Sequence, residues 1–413
     1  GMAGSKKVAA AGGKDRFEDL PEHVLELLLS FLPSQDAVRT SVLARRWRTL
    51  WKSVPALRLD GFEFESAHVF SNFVNKLLEH RDRTSPLHEC EIFPYPEGEE
   101  DEAHHDVQSW VQYAVSCRVS VLRVRNEDAD YPHLEISNSS VISKDLTRLE
   151  LYNLAFGASR LDLISYEALE VLEISCCFIN IGDNLPKSLR HLKIRVSDLY
   201  SMQTPRNCLS APGMLTFELA DCMEWTPLLE SLPSLVTSFI RINMQCKDAC
   251  THIKYLADCG DESCEEDHCL LLEGLAGATN LELISQYSVI FRKDLKWCPM
   301  FSKLKTVLLN EWCLTANFTG LLYFLQHTPI LEKLTLLLPS CKDFDIGSNG
   351  SYSPAEYFLV SKHLKVVEIH CSKEDEWICQ IVNILGIHGV TSAQISIKHD
   401  SRNSFRFSFQ QTK

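Results

Sequence analysis

A short apolar template, L-x-x-L-x-L, recurs along this chain and leaves little room for a single closed core. Leu146-Leu149-Leu151, Leu169-Leu172-Ile174 and Leu189-Leu192-Ile194 follow it closely. Val119-Leu122-Val124 and Met214-Phe217-Leu219 are looser copies, and Leu304-Val307-Leu309, Leu331-Leu334-Leu336 and Leu364-Val367-Ile369 continue the series. Neighbouring copies mostly sit about 20 to 27 residues apart, the period of a unit that cannot bury its apolar face alone and must stack on its neighbours. Stacking also suits the length: 413 residues are too many for one compact core unless the core is extended by repetition.

This period is that of leucine-rich repeats. The expected fold class is α/β, a right-handed irregular solenoid with a parallel sheet on its concave side, preceded by a small all-α module. Periods vary and several copies are degenerate, so a regular helix in every repeat is not expected. The period of two along a strand places Arg123, Arg125, Glu150, Tyr152, Glu173, His191, Lys193, Arg195 and Glu218 on the concave surface. That mixture of charges, aromatics and histidine suits a protein target better than one small metabolite, although for any single residue a merely solvated face is the plainer reading. One copy extends through Cys177 and Ile179, and Cys222 occupies the same step after Phe217 and Leu219. A small polar side chain there can bond the backbone of a neighbouring turn, which gives some cysteines a structural role.

The first sixty residues follow another rule. Asp19-Leu20-Pro21-Glu22 is a helix start, with Asp as cap and Pro in the first turn. Val24, Leu25, Leu27, Leu28, Leu29, Phe31 and Leu32 follow, and Pro33 stops the helix. Apolar positions run nearly all the way round it, so it needs cover on two sides, one of them from another protein. Ser34 can cap a second short helix and Ser41 a third, on which Leu43, Trp47, Leu50 and Trp51 share one stripe. Three helices in about 40 residues cannot supply an independent core. A three-helix cap on the solenoid, with no partner, is the plain alternative.

The run from Asp19 to Pro33, followed by Asp36-Ala37-Val38-Arg39-Thr40-Ser41-Val42-Leu43-Ala44-Arg45-Arg46-Trp47-Arg48-Thr49-Leu50-Trp51, closely resembles the F-box of plant F-box/LRR proteins. The resemblance implies docking on a Skp1-like protein, through it a cullin and a RING protein, and a role as substrate adaptor of an SCF-type ubiquitin ligase. Carried over by position, the Skp1-facing residues are Leu20, Pro21, Val24, Leu28, Leu32, Pro33, Val38 and Val42, while Trp47 and Trp51 hold the helices together. From Tyr357 onward the chain resembles the FBD segment of such proteins: Lys362 to Ile369, then Trp377 to Leu385 as a helix and Ile395 to Ile397 as a strand. The implied organisation is a tail over 1–15, an F-box over 16–55, a repeat body over 56–340 and an FBD-like cap over 341–413. A Skp1-bound scaffold or decoy without degradation, and a small-molecule receptor using the repeat surface, are the alternatives.

Composition narrows the rest. The net charge of −14 speaks against a nucleic-acid partner, which needs a basic face. No apolar run reaches the roughly 18 to 20 residues of a membrane span, and the stretch from Gly1 to Arg16 has no apolar segment that reads as a secretory signal. The 16 cysteines are then expected as reduced thiols in an intracellular protein of nucleus or cytoplasm. Glu97 to His105 reads as an acidic loop. Cys246 to Cys269, with Cys250, His252, Cys259, Cys264 and His268, has enough soft ligands for zinc, but its spacing lacks paired C-x2-C steps, so an acidic insertion with incidental cysteines is preferred. No cofactor and no catalytic constellation is expected: there is no phosphate-cradling glycine loop, no G-x-S-x-G and no H-E-x-x-H.

Overall fold

The computed structural model describes residue 17 and residues 19–96, 101–127, 134–137, 141–157, 161–182, 184–199, 206–223, 225–248, 271–286, 299–338, 362–373, 376–400 and 402–411. The template leucines become the floor of one parallel sheet of thirteen strands. In spatial order these are β1 (Ala56–Asp60), β2 (Glu89–Phe93), β3 (Val121–Arg125), β5 (Arg148–Tyr152), β7 (Val171–Ser175), β9 (His191–Arg195) and β12 (Thr216–Ala220), then β14 (Thr237–Ile242), β15 (Asn280–Ser285), β16 (Thr306–Asn310), β17 (Lys333–Leu337), β18 (Val366–Cys371) and β19 (Ile395–His399). Register is unbroken, so Leu122, Leu149, Leu172, Leu192 and Phe217 stand side by side, with Val124, Leu151, Ile174, Ile194 and Leu219 in the next inward row. All ten are buried. Each row is an apolar stack that no single repeat could close.

Five of the thirteen strands lie outside the eight copies read from the sequence. At β2 and β14 the middle template position holds Cys90 and Ser238 in place of an aliphatic residue. Both are buried, and Ser238 satisfies its hydroxyl by donating to Phe217 O at 3.1 Å.

The chain leaves four successive strands by the same device. Asn153, Cys176, Val196 and Asp221 follow β5, β7, β9 and β12 directly, and each has a left-handed φ between 46° and 57°. Each donates its backbone N–H to the next repeat: Asn153 to Ser175 O, Cys176 to Arg195 O, Val196 to Ala220 O and Asp221 to Arg241 O. After β5, β7 and β9 the kink turns the chain into the short strands β6 (Leu154–Ala155), β8 (Phe178–Ile179) and β10 (Asp198–Leu199), which with β4 (Leu134–Glu135) form a second parallel sheet. These repeats therefore cover their back with short strands rather than helices, as their irregular periods anticipate. Strands β11 (Cys208–Ser210) and β13 (Leu228–Ser231) form a further pair. At the polar step Cys177 bonds Ser175 O at 3.3 Å in its own turn and the backbone at Leu154 and Asn153 in the preceding repeat. Ser197, one repeat on, also reaches across and accepts from Cys177 N at 3.2 Å.

At the N-terminal end α2 (Ser34–Arg39) packs against β1, and α1 (Glu22–Leu29) against the 3-10 turn Leu50–Ser53. The helix starts differ in detail from the sequence reading. Pro21, not Asp19, stands at the N-cap of α1, with no side-chain cap. Ser34 lies inside α2, and its hydroxyl accepts from Arg58 N at 3.0 Å. The third helix is broken into 3-10 turns at Thr40–Val42, Arg45–Arg48 and Leu50–Ser53. The single stripe therefore does not form: Leu50 is buried whereas Leu43 is 70% exposed.

Helices α3 (Ala67–His80) and α4 (Asp101–Ser116) back the first repeats. The acidic stretch expected as a loop thus enters a helix at Asp101. Val107, Trp110, Val111 and Ala114 form the buried stripe that holds the helix down. Further on come α5 (Leu272–Leu275), α6 (Thr315–Gln326) and α7 (Glu376–Ile387). The last of these and β19 take the places read as the FBD helix and strand. Of the Cys-rich group only Cys246 is described, and it is buried; the remainder lies outside the described residues.

Candidate functional site

Two surfaces stand out, one on the helical module and one on the open face of the sheet. On the module, Leu25 and Leu29 of α1 point inward and join the core of the repeats. The other side of the same helix and the turn after α2 remain open: Leu27 is 52% exposed, Phe31 67% and Val42 85%. Of the positions expected there, Leu28, Leu32 and Val42 are exposed large apolar side chains and Pro21 is exposed too. Val24, Pro33 and Val38 are half-buried. Leu20 is half-buried and packs on the core with Val38, Trp47 and Trp51. Trp47 meets Phe17 edge-on at 5.8 Å. Leu27, Phe31 and Leu43 extend the patch beyond the expected set. Their apolar character was visible in the sequence, but their side of the helix was not.

The open face carries a ladder of charge. One outward row runs Arg58, Glu91, Arg123, Glu150, Glu173, Lys193 and Glu218 across successive strands. Strands about 4.8 Å apart let a carboxylate bridge cations on both sides. Arg58 meets Glu91 at 2.5 Å, and Arg123 meets Glu91 and Glu150 at 2.9 Å each. Glu150 also accepts from Arg125 at 2.8 Å and from Arg148 at 2.6 Å. Arg148 and Lys193 share Glu173 at 2.6 and 3.2 Å, and Arg195 bonds Glu218. Burial alone raises the Glu150 carboxyl, but the hydrogen bonds from Arg125, Arg148 and Arg123 outweigh it and hold it at about 2.

All nine residues expected on this surface therefore share one face. Glu150 and Glu218 are nonetheless buried beneath their arginines and serve to balance charge. Arg125, Tyr152 and His191 stand further out; His191 Nδ1 lies 2.7 Å from Thr216 Oγ1. Sequence reasoning missed Arg58, Glu89, Glu91 and Arg148. The first three lie on the unrecognised strands β1 and β2, and Arg148 was passed over although its copy was found.

At Phe239 the row changes chemistry. Phe239 and Leu308 replace charges, and Ala220, Ile284 and Leu337 join them in an apolar cluster separate from the main core. Residues 402–411 lie over it and leave a cavity of about 460 Å³ lined by residues including Thr306, Lys333, Glu368, His370 and Ser408. His370 is buried, with Nδ1 at 2.7 Å from Asp400 Oδ2. Among the described residues no cluster of His, Cys, Asp and Glu could hold a metal ion, and no helix is long and apolar enough to cross a membrane.

Comparison with known proteins agrees with this geometry. The F-box domain matches residues 17–59, the span of the helical module and the first strand. An F-box/FBD/LRR-repeat protein of Arabidopsis thaliana is 27% identical over 389 residues, 86% of this chain and 85% of that protein. The chain carries an F-box domain and is similar along most of its length to a plant F-box/FBD/LRR-repeat protein. A second F-box/FBD/LRR-repeat protein of Arabidopsis thaliana is 31% identical over 173 residues, which span 42% of this chain and only 37% of that relative. The rice (Oryza sativa subsp. japonica) MEIOTIC F-BOX protein MOF is 26% identical over 356 residues, 78% of this chain and 71% of its own. The solved TLR13-ssRNA13 complex overlays on 75% of this chain and 54% of its own, with 12% identity and a TM-score of 0.33. At that score the likeness carries no argument.

Proposed function

We propose that this F-box/LRR chain is a non-catalytic substrate adaptor of an SCF-type ubiquitin ligase. The F-box docks on a Skp1-like protein, which brings the cullin and RING subunits, and the open face of the sheet holds a protein target. The observation that carries this reading is the split character of α1, whose inner side is fused to the repeats while its outer side stays bare at Leu27 and Phe31, beside Val42 and Leu43. A cap with no partner has no use for that second apolar side. Leu20, Pro21, Val24, Leu28, Leu32, Pro33, Val38 and Val42 are assigned to the Skp1 side, with Leu27, Phe31 and Leu43 added. On the target side the accessible members of the ladder, Arg125, Tyr152, His191 and Lys193, make contact, while Arg123, Glu150, Glu173, Arg195 and Glu218 hold them in place. Catalysis is then by proximity: a bound target's lysine is kept near a thioester carried elsewhere in the assembly.

The test is co-expression with a plant Skp1 followed by size-exclusion chromatography. Val42→Asp with Leu43→Asp is the preferred variant, because both side chains are exposed and their loss leaves the core intact. A one-to-one complex that the double variant loses, with an unchanged unfolding curve, supports the reading. A chain that elutes alone in its wild-type form overturns it.

A further inference from the structure

The apolar half of the open face already has an occupant, and the occupant comes from the chain itself. Residues 405–409 place phenylalanine at every second position, Phe405, Phe407 and Phe409. Phe407 is fully buried against Ala220, Ile284, Leu308 and Leu337. Its ring lies 5.6 Å from that of Phe239 and 5.5 Å from that of Phe409. The Arg241 guanidinium sits 5.3 Å from the Phe405 ring and 5.1 Å from the Phe407 ring, and Arg195 lies 5.8 Å from Phe409. Polar groups between the rings are matched as well. Ser408 N donates to Glu282 Oε2 at 2.9 Å, its hydroxyl bonds the same carboxylate, and Gln410 Oε1 accepts from Arg241 at 3.1 Å.

On the sheet side, Phe239 and Glu282 belong to the outward row that carries the charge ladder elsewhere, and Arg241 to the row beside it. Here these rows receive aromatic rings and the two hydrogen-bond donors of Ser408. The cover is held from one side only: Ser408 is exposed and Phe409 is 43% exposed. Its cluster is separate from the main core, so lifting it leaves the stack of repeats intact.

We propose that the face over β12–β16 is a docking groove for a partner segment of pattern aromatic–x–aromatic–hydroxyl that turns into a short 3-10 helix, as the chain does at Ser408–Gln410, and that residues 405–411 occupy this groove until such a segment displaces them. The proposal rests on the reading of the open face as the target surface, and it names the class of target. The internal segment is tethered a few residues beyond β19, where short tethers give an effective concentration on the order of millimolar. A free peptide at micromolar concentration then cannot compete in the intact chain.

The experiment uses a fluorescent peptide with the sequence of residues 402–411. It is titrated against the intact chain, a chain lacking residues 402–413, and full-length Phe407→Asp, with Skp1 capture measured in parallel. The expected result is binding to both altered chains at least tenfold tighter than to the intact chain, and weakened by Ser408→Ala in the peptide. Equal binding to all three overturns the proposal, as does no binding to either altered chain while both still capture Skp1. Loss of the native fold in both altered chains also overturns it, since the segment would then be part of the core. Peptide binding without Skp1 capture sinks the adaptor reading and leaves the groove standing.

Discussion

Glu150→Gln should destabilise the fold by about 2 kcal/mol at pH 7, because it removes the charge on which three arginines converge while nearly conserving volume. The magnitude follows from the carboxyl itself. It is held at about 2 against an ordinary 4.5, and a gap of that size is worth roughly 3 kcal/mol. Arg125 and Arg148 keep 42% and 35% of their side chains exposed, so solvent screening brings the figure down to about 2 kcal/mol. The sign is fixed by the direction of the shift. A group depressed in the folded state contributes fully above its unfolded value and loses the contribution as pH falls toward its folded value. The difference between wild type and variant should therefore shrink by more than half between pH 7 and pH 3. Urea unfolding at both pH values, compared at equal slopes, measures it. A difference below about 0.5 kcal/mol at pH 7, or one that keeps its full size at pH 3, would refute the ladder as a source of stability.

Two further outcomes are expected. Val196 sits at φ 46° with its side chain 39% exposed; Val196→Asn suits the left-handed region better and should stabilise the chain by about 1 kcal/mol in urea unfolding. Burial pushes the thiols of Cys90, Cys177 and Cys246 up to about 12, so iodoacetamide at pH 8 should leave them unmodified in the native protein while alkylating the exposed Cys379. Peptide mapping by mass spectrometry reads both classes.

Legibility in the sequence followed the range of the interaction. The repeats around Leu149, Leu172 and Leu192 were readable because each carries its own aliphatic signal within six residues. Cys90 and Ser238 hid their strands by filling the same inward position with residues that only the register of neighbouring strands identifies. The left-handed exits fall on Asn153, Cys176, Val196 and Asp221, with no glycine to announce them; only their regular offset from the strands reveals them. The F-box was readable in full as a motif, yet which side of α1 it keeps bare depends on the core of the repeats that Leu25 and Leu29 join, which the motif does not describe. The cover over Glu282 was out of reach altogether, because Ser408 is 126 residues away in the chain.

Arg58 joins the two surfaces. Its backbone N–H bonds Ser34 Oγ at 3.0 Å and its Nε bonds Ser30 O at 2.9 Å, while its outer nitrogens reach Glu91 at 2.5 Å and Glu89 at 3.5 Å. Arg58 thus fastens the loop between α1 and α2 to the first rungs of the ladder and ties the exposed apolar patch to the charged face. An adaptor that works by proximity needs this, since slack between the two surfaces dilutes a target lysine at the reacting thioester. Arg58→Lys keeps one positive charge but cannot hold the Ser30 carbonyl and two carboxylates at once. Hydrogen exchange should then quicken across residues 30–36 while β5 to β12 stay protected and Skp1 is still bound. If those amides exchange as they do in the wild type, the link does not run through Arg58, and burial of Leu25, Leu29 and Ala37 is what joins the module to the repeats.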